Sequence, residues 1–155
     1  MENFINQELL KNLNFTEFEI VSEGEKINFL PLTENGIKAN INATISLKEN
    51  FLQDKKYLVL FFTISGINNI SQEDLYLSRK YIVIGADVSS TYITTSSINL
   101  PLNYLIDDSN KLLFSSLTIS LSLADKKPGE SGVNKSIKYN TFYTVNIPII
   151  DERSN

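Results

Sequence analysis

The chain has 155 residues, 42% of them hydrophobic and 21% charged, with a formal net charge of -4 and a pI of about 4.9. Such a composition argues against global disorder and fits one domain, residues 1–155, and its mild acidity supplies no basic face for nucleic acid. Cysteine and histidine are both absent, which removes disulfides, thiolate nucleophiles, Ser-His-Asp triads and His/Cys zinc sites.

The first segment with a pattern runs from Asn6 to Leu13. Leu9, Leu10 and Leu13 fall on one helical face, with Glu8 near the start and Lys11 near the end. That spacing predicts a short amphipathic helix, with residues 1–14 as helix and lead-in, closing one end of the fold. Phe15, Phe18 and Ile20 begin a strand that stops at the turn Glu23-Gly24-Glu25. Ile27 and Phe29 make a second, short strand, which Pro31 ends or confines to an edge. Glu34-Asn35-Gly36 then carries an Asn-Gly hairpin signal.

From Ile37 to Lys48 the chain alternates without a break. Ile37, Ala39, Ile41, Ala43, Ile45 and Leu47 are apolar, while Lys38, Asn40, Asn42, Thr44, Ser46 and Lys48 are polar. A period of two predicts a strand with one face in a core and one in water. After a loop at Asn50–Lys56, Tyr57–Ile64 is apolar on both faces, as expected of a strand covered on each side. One cover is the opposite sheet; the other is the N-terminal helix or a partner chain.

Ser71-Gln-Glu-Asp74 resembles a capping box and predicts one helical turn. Tyr81–Ile84 reads as a strand, and the Ser/Thr-rich Val88–Ile98 as another with weak alternation. Leu102–Ile106 suggests a helical turn and Asp107–Asn110 a polar turn. Leu113, Leu117, Ile119, Leu121 and Leu123 alternate with small polar residues. Asp125–Gly132 is a loop. The last strand is read from Ile137 through Tyr139, Tyr143, Val145, Ile147 and Ile149, with Pro148 at a sheet edge and residues 151–155 as a frayed tail. About eight strands at near-regular spacing predict an all-β antiparallel β-sandwich with a short N-terminal helix.

The chemistry left to the chain is sparse. Asp107-Asp108 is the obvious carboxylate pair, but Asp in a polar turn is ordinarily a solvated turn residue. Ser46/Lys48 and Ser136/Lys138 fall on the face assigned to water, where a lysine has no reason to lose its proton. Neither phosphate-loop glycine pattern occurs. The reading is therefore no enzyme, no cofactor and no metal. The Ser/Thr-rich stretch reads as an exposed edge strand open to pairing, which nominates Tyr92, Thr94 and Ser96, with Tyr81 nearby, as an interaction surface.

The expected function is a non-enzymatic binding or assembly module acting through a protein partner or self-association. A structural or accessory role in a bacterial or phage complex fits the Asn-, Ile- and Lys-rich composition. The alternative is a carrier holding an apolar ligand or lipid between the sheets or under the helix, motivated by Tyr57–Ile64. With no signal-peptide pattern and no membrane span in the sequence, the expected location is cytoplasmic, or outside the cell by export without a standard signal peptide.

Overall fold

The computed structural model describes residues 13–47, 57–85 and 91–153. Nine strands carry most of them: β1 (Leu13–Ser22), β2 (Glu25–Ile27), β3 (Leu30–Thr33), β4 (Gly36–Leu47), β5 (Tyr57–Ile67), β6 (Asp74–Gly85), β7 (Thr91–Leu100), β8 (Ser116–Ala124) and β9 (Thr141–Asp151). Among the described residues the remaining regular structure is one helix, α1 (Val133–Tyr139), and a 3-10 turn at Leu102–Tyr104. The chain is all-β, as its alternation requires. The expected N-terminal helix lies outside the described residues except at its end, where Leu13 and Asn14 are already strand.

Hydrogen bonds join the strands in the order β2-β1-β4-β3-β9-β8-β5-β6, with β7 on β4. β1 and β3 share one edge of β4, and β7 takes the other. Every pair is antiparallel except β3 with β9, which is parallel through Leu30↔Ile149 and Leu32↔Asp151. The ladder is thus one large mixed sheet, where the sequence predicted a purely antiparallel one. β9 makes the join: its earlier residues pair with β8, its last three with β3, and Pro148 stands where the partner changes.

The period-two pattern becomes burial directly. Ile37, Ala39, Ile41, Ala43 and Ile45 of β4 are buried in one cluster with Leu58, Leu60, Phe62 and Ile64 of β5 and with Leu117, Ile119, Leu121 and Leu123 of β8. Burying each of the Ile, Leu and Phe side chains contributes roughly 1.5–3 kcal/mol. The two hairpins at the start of the chain are set by left-handed backbone. Glu23 and Gly24 both have positive φ between Ser22 and Glu25, the geometry of a type I′ turn. Gly36 follows the Glu34-Asn35 turn at φ +88°, and a Cβ there would stand 2.0 Å from the Leu100 carbonyl oxygen.

Three expectations change. Ser71-Gln72 forms no helix: the Asn68 side chain accepts from the Ile70 and Ser71 amides, and this turn feeds β6 from Asp74 onward. The segment read as the start of the last strand is α1 instead. Val133 and Ile137, one turn apart, pack on Val59, Phe61 and Ala124, so α1 is the cover over the second face of β5. Of the expected 151–155 tail, Asp151 ends β9 and Arg153 bonds Asp151 and the carbonyl and side chain of Asn110, while residues 154–155 lie outside the described residues.

Candidate functional site

Of the residues nominated from sequence, Thr94 and Ser96 do not share a surface with Tyr81. Thr94 and Ser96 point into the core, 6% and 7% exposed, and the Thr94 hydroxyl has no partner among the described residues. The outward residues of β7 are Thr95, Ser97 and Asn99. The Tyr92 side chain lies outside the described set. Tyr81 is exposed, but on β6, facing away from the core. The outer edge of β7 is also partly guarded: the Lys80 ammonium donates to the Ser97 carbonyl at 2.9 Å and to its hydroxyl at 2.7 Å.

The carboxylate pair is a turn. Asp107 Oδ1 accepts the amides of Ser109 and Lys111, both at 2.9 Å, while Asp108 is exposed. Ser136 and Lys138 lie on α1, not on a strand face. No cluster of three metal-ligating side chains occurs among the described residues.

Two other surfaces emerge. The first is the outer face of β6. Tyr81 and Val83 sit opposite Phe61 and Val59. The Phe61 and Tyr81 rings lie 6.1 Å apart, and Tyr76 is further along the same face. Arg79 stacks over Tyr76 at 5.1 Å, bonds Thr63, and reaches Asn134 of α1.

The second is a groove of about 790 Å³ over the outer face of β4 and β7, walled by the β1–β2 hairpin and the Ile27–Pro31 segment. Register places Val21, Asn40 and Ser97 in one row across β1, β4 and β7, and Lys38 beside Asn99 in the next. The row on the other side of Asn40 lies outside the groove. There Lys26 bridges Glu19 at 2.9 Å, Asn42 donates to Glu19 at 3.4 Å, and Thr95 donates to Asn42 at 2.9 Å. The Lys26 ammonium holds the Glu19 carboxyl below its ordinary value, and Glu19 raises that of Lys26. Lys38 and Asn40 were legible as the polar face of the long strand; Asn99 and Phe29 carried no signal that would bring them there.

No family model and no curated protein sequence matches the chain. Among solved structures, the C-terminal domain of wzt superposes with a TM-score of 0.52 at 10% identity, over 90% of this chain and 74% of that one. A beta-glucosidase from Listeria innocua, in complex with isofagomine, gives 0.51 at 7% identity; the match covers 92% of this chain but only 17% of the glucosidase. At such identities the likeness is one of fold alone.

Proposed function

We propose that this chain is a non-enzymatic binding module that assembles by self-association, as a structural or accessory part of a larger complex. The observation that carries the reading is the outward stripe of β6, where Tyr76, Tyr81 and Val83 are 60%, 51% and 44% exposed around an ordered Arg79. Tyrosine and arginine are the residue types favoured where proteins meet, and an arginine already held by its neighbours loses less freedom on binding. A second copy is the occupant proposed: the stripe can meet itself about a twofold axis, Arg79 facing tyrosine rings, with its one carboxylate, Asp74, at the end beyond Tyr76. Three side chains make a small patch, so the association is weak and reversible.

We further read the two limbs of the sheet, β1–β4–β7 and β9–β8–β5–β6, as layers of a β-sandwich. Their inward residues meeting in one cluster supports this. The carrier alternative has less behind it, because side chains fill the space between the limbs and α1 covers the second face of β5.

Sedimentation of the full chain over a range of concentrations tests the assembly reading. A reversible monomer–dimer equilibrium is expected, lost in Tyr81→Glu with an unchanged thermal transition. A monomer at every concentration, or a dimer indifferent to Tyr81→Glu, overturns it.

A further inference from the structure

The polar groups of the β4–β7 outer face are spent unequally. In the row of Glu19, Asn42 and Thr95, each side chain is bonded to the next. In the groove, the side chains of Asn40, Asn99 and Lys38 make no hydrogen bond to another described residue, although Asn40 stands one row away on the same strands and Lys38 and Asn99 two. An exposed Asn on a strand runs against propensity, and here two lie on adjacent strands and open into one concavity. Beside them are the half-buried Phe29 and Pro31. The groove thus sets free amides, which both donate and accept, next to an apolar wall.

Charge narrows the ligand. Glu23, Glu25 and Glu152 line the groove and outnumber Lys38 and the neighbouring Lys80, so phosphate, sulfate and nucleic acid are disfavoured. An extended peptide would find little backbone to pair with, because β4 is laddered on both sides except at Lys38 and Ala39, a gap two residues long between its pairings with β1 and β3. A ligand that uses side chains alone must carry many groups able to donate and accept, with an apolar face for Phe29. The volume is within the usual range for a small-molecule site.

We propose that this groove binds a neutral, polyhydroxylated ligand, a saccharide chain, through Asn40 and Asn99. The site is separate from the β6 stripe and does not depend on it. The test uses the full chain on a glycan array carrying neutral, sulfated and sialylated oligosaccharides, with titration of the best neutral hit and of an oligolysine peptide. Neutral glycans should bind. Asn40→Ala/Asn99→Ala should weaken the titrated hit at least tenfold, while Thr95→Ala in the satisfied row and Tyr81→Glu on β6 leave it unchanged. Loss in Tyr81→Glu alone would place the ligand on the other surface. Binding of no neutral glycan, preference for the anionic glycans or for oligolysine, or an unaffected double variant each overturns the proposal.

Discussion

The two limbs of the molecule treat their outward faces differently. On the outer face of β5, Val59 and Phe61 make an apolar patch with Ala124 of β8, and α1 closes it with Val133 and Ile137; the rest of the outer face of β8 is small and polar. On β4 and β7 the outer face is polar and left open, as the groove. Both limbs have the same inward chemistry of Ile and Leu, so the core does not distinguish them. What differs is the second set of residues in β5, apolar at Val59 and Phe61, against the polar second sets of β4 and β7. An apolar second set demands a cover, and the chain supplies one in α1. A polar second set needs none, and a surface that water can occupy is one a ligand can occupy too.

The comparison can be broken most forcefully at Gly36. It lines the groove, and a Cβ there would collide with backbone, the Leu100 oxygen at 2.0 Å and the Leu102 nitrogen at 2.9 Å. Gly36→Ala should lower unfolding stability by about 3 kcal/mol or more, since a left-handed backbone and a backbone clash combine. A urea midpoint unchanged from the parent would show that β3, β4 and β7 do not meet as described.

The covered face comes next. Ile137→Ala should cost about 2–4 kcal/mol, the range for truncating a buried aliphatic side chain. Hydrogen exchange should then rise at the amides of α1 ahead of those in β4. A loss below about 0.5 kcal/mol, the scale of ordinary surface changes, would mean that α1 is no true cover.

On the open face, Asn40→Ala should move stability by no more than about 0.5 kcal/mol, because its side chain holds nothing in the fold. A larger loss would make Asn40 structural and remove the contrast on which the groove reading rests.

The smallest effect is electrostatic. Arg153 holds the Asp151 carboxyl down to about 2 from its ordinary 3.8. A depressed folded value means the pair's stabilisation is complete above the unfolded value and is lost as pH falls from about 3.8 towards 2. The Arg153 side chain is mostly covered but the Asp151 carboxylate faces solvent, so the gain is small and weakens with salt. Acid titration of the parent against Arg153→Gln should show a difference at pH 5 that narrows as pH falls through about 2, leaving the share due to the bonds with Asn110; a constant difference would argue against the ion pair.

Some of this was plain in the chain. The alternation of Ile37–Ile45 maps onto burial, as does that of Leu117–Leu121, and Asn35-Gly36 marks the turn before β4. β7 was harder, for a simple reason. Thr94 and Ser96 face the core while Thr95 and Ser97 face water, so the same two residue types stand on both faces and the period is invisible. Only Ile98 and Leu100 carry the parity. The 133–139 segment misled in the opposite way: Ile137 and Tyr139 continue the even spacing of a strand, and the Val133–Ile137 pair that makes a helix profitable is recognisable only once Val59 and Phe61 need covering.

The sequence by itself determined the strands, because a period of two is a local property written in neighbouring residues. Which outward faces are sealed and which stay open, and that Asn40 and Asn99 stand together in one groove, was decided by the tertiary structure. Those relations join residues tens of positions apart, and they depend on strand order and register, which alternation within one strand does not encode.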